Sequence, residues 1–183
     1  MTNIKDPKPI VLFPADVLRA VSEAFDGVSG DSRSLAAELR AALSATTGIG
    51  LAAPQIGVSK RMILLRCDPK TQAGGGLIMI DPVIVGASDT CTPMMEGCLS
   101  LPGERFSVTR PEKVMVEYLS ETGRIRTAEL EGLSAKCVQH EIDHLDGILI
   151  LDRLDRAAQA PAIAYPRIGA MEAATVSHFP RSR

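Results

Sequence analysis

The sequence predicts an α+β domain: short antiparallel β-sheets packed around one central helix near the C-terminal end, with helices at the N-terminal side. Three observations predict it. Helix-period and strand-period segments are segregated along the chain rather than alternating. Residues 113–119, KVMVEYL, alternate with Val114, Val116 and Tyr118 on one face, and Thr122-Gly123 turns the chain into a returning strand, RIRTAEL at 124–130. Residues 132–147, GLSAKCVQHEIDHLDG, follow a helical period.

The elements run in this order. A short helix is expected near 15–24. Residues 31–48 form a longer one, because Leu35, Leu39, Ala42 and Leu43 recur at i, i+4, i+7 and i+8 as one apolar stripe. Ser32 or Ser34 can cap its start and Gly48 can end it. Three glycines and a proline in GIGLAAPQIG, 48–57, disfavour a regular helix. RMILLRC (61–67), LIMI (77–80) and VIV (83–85) read as strands, with PKTQAGGG (69–76) a loop. DRLDRAAQA can extend a short helix after Asp152, and Pro161, Pro166 and Pro180 interrupt the remainder of the chain. The chain reads as one domain over 1–183, with 157–183 an irregular C-terminal tail. No internal repeat is present.

Charge and composition exclude several classes. Twenty basic residues against 22 acidic ones leave no electrostatic footprint for a phosphate backbone, so direct nucleic-acid binding is not expected. No apolar run approaches the roughly 18 residues of a membrane helix, and the N-terminus lacks the apolar length of a signal peptide, so no membrane partner and a cytoplasmic location are expected. Trp is absent, so the core must be built from Val, Ile, Leu, Ala and Met. Cysteines 67, 91, 98 and 137 include no C-x-x-C pair. Cys67 and Cys137 read as small buried apolar residues, and Cys91 carries no assignment.

On a helical wheel of about 100° per residue, 132–147 shows three faces. Ala135, Val138, Ile142 and Leu145 gather with Leu149 on one. Lys136, Gln139, Asp143 and Asp146 form a polar stripe. Leu133, Cys137, His140 and His144 form the third. Such a helix is largely buried, and inward imidazoles need partners.

His140-Glu141-Ile142-Asp143-His144 is an H-E-x-x-H pattern. Histidines at i and i+4 share one face and can share one metal ion. The glutamate lies beside that ion, where it can take a proton from activated water. The central helix is therefore read as metal-binding. His178 receives no role. A catalytic site needs a third protein ligand. The downstream position of one known pattern is Ile150, which cannot bind metal. The better candidate is Cys98 in EGCLSLPG (96–103), where Gly97 lets the backbone approach a ligand closely. A thiolate with two imidazoles suits iron or zinc.

GIGLAAPQ (48–55), EGCLS (96–100) and QHEIDH (139–144) occur in this order, and with them the chain resembles the peptide deformylases over roughly 10–152. LPGERFSVTRPEKV (101–114) and HLDGILILDRL (144–154) add to the likeness. The resemblance implies removal of the formyl group from the formyl-methionine of a nascent chain, with transient ribosome contact as a further expectation. It implies Cys98, His140 and His144 as ligands of one divalent ion, Fe2+ first and Zn2+, Ni2+ or Co2+ as alternatives. Glu141 matches the general acid/base. Gln55 and the backbone N–H of Leu99 match the oxyanion donors, and Gly50 a main-chain contact to the formyl amide. Ile49, Met94, Leu133 and Cys137 would line the methionine pocket, with Gly97 and Arg105 beside the peptide. Glu96 and Arg110 would form a supporting ion pair. Two alternatives stay open: a metalloamidase for another N-acyl group, separable by the space around Gly48, Ile49 and Gly50, and an inactive metal-binding paralogue, against which Glu141 and Gln55 speak.

Overall fold

The computed structural model describes residues 6–67 and 75–154. Five strands, β1 (Gly50–Ala52), β2 (Met62–Leu65), β3 (Leu77–Ala87), β6 (Lys113–Leu119) and β7 (Ile125–Glu131), pair in the order β1-β2-β3-β6-β7, every pairing antiparallel. β4 (Cys91–Cys98) and β5 (Leu101–Pro111) form a separate hairpin. Three helices complete the described chain: α1 (Gly30–Ser44), α2 (Gly132–Leu145) and α3 (Ile150–Leu154).

Through β1, β2 and most of β3 the large sheet is buried on both faces, with successive side chains entering opposite cores. In β2, Ile63 and Leu65 face a core shared with Ala135, Cys137, Val138, Ile142 and Leu145 of α2. Met62 and Leu64 face a second core shared with Leu35, Leu39 and Leu43 of α1. That double burial is why MILL is an unbroken apolar run rather than an alternating one. Each of these side chains contributes about 1.5–3 kcal/mol by leaving water. Val114, Val116 and Tyr118 of β6 are all buried on the α2 side, as their alternation predicts.

Several elements differ from the sequence expectation. α1 begins earlier: Ser29 is its N-cap, and its hydroxyl accepts from the Ser32 backbone while the Ser32 hydroxyl accepts from the Ser29 N–H, a reciprocal cap. It ends at Ser44, not at Gly48. The helix expected near 15–24 is only a 3-10 turn, Asp16–Leu18. Beyond it the backbone bonds to other elements instead: Ser22 N–H donates to Leu145 O, Glu23 N–H to Ser59 O, and Glu23 O accepts from Arg61 N–H. The two strands expected at 77–80 and 83–85 are one, β3, with its register shifted between Ile80 and Val83. The hairpin β4–β5 has no counterpart among the strands that the sequence predicts. Residues 69–74 of the expected loop and everything from 155 on, including the expected tail, lie outside the described residues.

α2 stops in a hydrogen-bonded reversal. Gly147 N–H donates to His144 O and Ile148 N–H to Asp143 O, with Gly147 left-handed at φ 70°. A Cβ there would overlap the Arg19 carbonyl. Gly147→Ala is therefore expected to lower stability by more than about 2 kcal/mol, adding a steric clash to the left-handed penalty. Gly123→Ala, also at positive φ but in open space, should lose only about 1 kcal/mol. Urea denaturation of both variants checks the ranking, and an equal or smaller loss at Gly147 would contradict it.

Candidate active site

The site forms where the hairpin meets α2. His140 and His144 stand one helical turn apart, their ring centroids 5.0 Å from each other. Cys98 ends β4, and Leu99-Ser100 turns the chain into β5. The hairpin register slips there: Gly97 pairs with Arg105 but Cys98 with Leu101, so residues 102–104 loop out and the thiol is aimed at the helix. Cys98 Sγ lies 3.3 Å from His144 Nε2. One donor atom from each of Cys98, His140 and His144 lies within 4.8 Å of the others.

The surroundings fix these side chains. Glu96 accepts from Arg110 Nε at 2.6 Å and Nη2 at 3.0 Å, and its Oε2 is 3.0 Å from His140 Nδ1. Burial works to raise the Glu96 carboxyl, but hydrogen bonds from His140 and Arg110 outweigh it and hold it below the usual range. Ionised Glu96 therefore accepts the proton of His140 Nδ1, leaving Nε2 as the lone-pair nitrogen. Arg110 also reaches Asp143 at 2.7 Å, and Asp143 accepts from Arg153 of α3. The ion pair expected between Glu96 and Arg110 is thus part of a larger buried network.

The donor set fits a metal ion. Sulfur and nitrogen ligands at tetrahedral zinc would sit about 3.5 Å apart, close to the Cys98–His144 separation. Burial would depress His140, yet hydrogen bonds with Cys98 and Glu96 push it up to about 10, so a metal ion at Nε2 would have to displace a proton. Burial, then the charges of His140 and Arg110, lower His144 well below its ordinary value. Burial pushes Glu141 up to about 7. Glu141 Oε2 and His144 Nδ1 are buried without a hydrogen-bond partner among the described residues. An orphaned carboxylate oxygen beside a candidate metal site awaits a ligand or a water.

A cavity of about 560 Å³ opens over this cluster. Every residue singled out from the sequence for the site lines it except His144 and Arg110, which are 1% and 3% exposed. Gln55 comes from the 3-10 turn Ala53–Ile56 after β1. Its Oε1 accepts from Ala52 N–H at 2.9 Å, which turns Nε2 toward Cys98 Sγ (3.6 Å) and Ser100 Oγ (3.3 Å). Ile49 and Leu133 are exposed at the cavity, Met94 is half-buried, and Cys137 is buried with its thiol donating to Ile49 O. Arg105 is exposed and donates to Met95 O. A Cβ at Gly97 would make only ordinary contacts, the nearest 3.6 Å from Glu104 O. At Gly50 a Cβ would overlap the Glu141 carboxylate and lie 2.7 Å from Cys137 Sγ. Cys67 is half-buried beside the α2 core and Cys91 is exposed.

Sequence reasoning missed the hairpin network: Asp143, Lys136 and Ser100 were not linked to the site. The available signal was three polar residues, Lys136, Gln139 and Asp143, on a helix otherwise reading as buried.

Fold and site together are those of a small α+β metallohydrolase. Comparison with known proteins gives the particular family. The model for polypeptide deformylase matches residues 7–160. Peptide deformylase 2 of Gloeobacter violaceus is 42% identical over 160 residues, 87% of this chain and 86% of its own. The actinonin complex of a peptide deformylase from Synechococcus elongatus superposes with a TM-score of 0.75 at 35% identity, covering 82% of this chain and 80% of that one. The Met-Ala-Ser complex of a class I type b peptide deformylase from Acinetobacter baumannii does so with 0.73 at 34%, covering 80% and 98%. The chain belongs to the polypeptide deformylase family.

Gly50→Ala tests the tightness of the site. The added methyl must displace Glu141 or Cys137, and misplacing a catalytic group by about 1 Å can lose about 100-fold in rate. Turnover should fall by about that factor while circular dichroism and metal content stay unchanged. Turnover within threefold of the parent would contradict the packing.

Proposed function

We propose that the chain hydrolyses the N-formyl amide of formyl-methionine at the start of newly made polypeptides, giving formate and a free amine. The observation that carries this reading is the convergence of Cys98, His140 and His144, the orphaned Glu141 carboxylate and the Gln55 amide in one cavity of a deformylase-family chain.

Cys98, His140 and His144 would hold one divalent ion. Ferrous iron is the proposed native one, and Zn2+, Ni2+ or Co2+ suit the same donors. When bound, the ion supplies Lewis acidity that makes water acidic and polarises the formyl carbonyl. Glu141 accepts the proton of the attacking water and later delivers it to the departing amine. The Gln55 Nε2 and the Leu99 N–H donate to the oxyanion that develops on the formyl oxygen. Because Gln55 Oε1 is committed to Ala52, the amide needs no reorientation to do so. The Gly50 main chain contacts the formyl amide. Ile49, Met94, Leu133 and Cys137 receive the methionine side chain, while Gly97 and Arg105 meet the peptide beyond it. The lack of room for even one carbon between Gly50 and Glu141 supports a small acyl group over a larger one. The reaction is placed in the cytoplasm, with transient ribosome contact. No helix among the described residues is long and apolar enough to cross a membrane.

The test is formate release from formyl-Met-Ala-Ser by the iron-loaded protein under nitrogen, beside acetate release from the acetyl peptide. The formyl peptide should turn over at least about 100-fold faster. Glu141→Gln keeps the shape but cannot accept a proton, so it should lose about 10²–10⁴-fold in kcat with its metal retained. Equal rates for the two acyl groups, or a Glu141→Gln variant within a few-fold of the parent, would contradict the assignment.

A further inference from the structure

Three residues of the polar stripe of α2 are not used by the proposed reaction, yet they are buried. Lys136, Gln139 and Asp143 are 2%, 3% and 4% exposed. Lysine is almost never this buried unless it is paired. Their partners converge on one stretch of the hairpin. Lys136 Nζ donates to Thr92 O at 2.6 Å and to Arg110 O. Gln139 Nε2 donates to Pro111 O at 3.0 Å. Asp143 accepts from Arg110 Nη1. Thr92 and Arg110 face each other across β4 and β5, so one ammonium spans both strands at a single rung. The residue held this way, Arg110, is the one whose guanidinium reaches Glu96, and Glu96 in turn holds His140 Nδ1.

We propose that Lys136 is a positioning residue for the metal centre. By clamping β4 and β5 onto α2 at the Thr92–Arg110 rung, it sets where Cys98, at the far end of the hairpin, meets His140 and His144. An ammonium suits this task because it carries three donors on a long stem and can satisfy two buried carbonyls at once. An apolar residue would leave both carbonyls without a donor, and the strands would shift to recover one. Burial holds the Lys136 ammonium below its ordinary value and Arg110 adds to this, while Cys91, Glu96 and Glu112 act in the opposite sense. The inference rests on the reading of Cys98, His140 and His144 as metal ligands.

The experiment measures cobalt(II) affinity of the full chain by competition with a chromophoric chelator, together with the thiolate-to-cobalt absorption band. It compares the parent, Lys136→Met, and Arg40→Met. The last breaks the remote Arg40–Glu121 pair and serves as a control for general destabilisation. The parent should bind one ion per chain. Lys136→Met should lose roughly 10–100-fold in affinity, as substitutions behind metal ligands do, and its band should move. Arg40→Met should keep both. If circular dichroism shows that Lys136→Met does not fold, Lys136→Gln is measured in its place against the same criteria. Unchanged affinity and band in the folded Lys136 variant, or an equal loss in Arg40→Met, overturns the proposal. A parent chain that binds no cobalt overturns the ligand assignment itself, and this is seen before any variant is compared.

Discussion

The buried guanidinium of Arg110 holds the site together. It is 3% exposed and lies between Glu96 of the hairpin and Asp143 of α2. Breaking such a pair from one side loses about 3–5 kcal/mol, because the remaining charge is left buried and unmatched. Here the consequence would reach further. Without Arg110, Asp143 would keep Arg153 as its counter-charge, but Glu96 would lose its guanidinium and would tend to take up a proton. A protonated Glu96 accepts less well from His140 Nδ1, and the imidazole would lose the bond that fixes its tautomer. The network is thus both the attachment of the hairpin and the support of a metal-ligand candidate.

The rest of the architecture serves that junction. β1 and β2 lie between α1 and α2, and α2 cannot rotate without disturbing the core that Ala135, Val138, Ile142 and Leu145 build with β2, β3 and β6. That fixes the face His140 and His144 present. The hairpin supplies Cys98 from the other side. β1 and the turn after it bring Gly50 and Gln55 to the same cavity. Three separate segments meet at one small space, and each is held by backbone or buried-charge hydrogen bonds rather than by side-chain packing alone. Electrostatic stabilisation requires donors and charges held in place in this way.

Much of this was legible in the sequence, and the illegible parts have a physical reason. The large sheet and α2 were readable because each buries a face, and burial imposes a period. β6 and β7 were found almost to the residue. The H-E-x-x-H spacing marked the candidate metal-binding helix because i and i+4 share a face. The hairpin β4–β5 was not readable: its strands lie largely exposed, with Pro93 and Gly97 in β4, and no apolar alternation marks them. It is ordered by the buried polar stripe of α2, a tertiary interaction that leaves no local pattern. The N-terminal segment failed for the same reason, since Ser22 and Glu23 bond to the end of α2 and the approach to β2. The candidate site was legible where chemistry demands rare residues at fixed spacing. Its supports, Lys136 and Asp143, look like ordinary surface charges until the hairpin is placed over them.

We propose that one thiolate and two imidazoles, brought together by the Arg110 network, hold a single ion. X-ray absorption on the zinc-loaded full chain tests this directly. One sulfur at about 2.3 Å and two imidazole nitrogens at about 2.0–2.1 Å are expected. A first coordination sphere without sulfur, or with more than one, would contradict it.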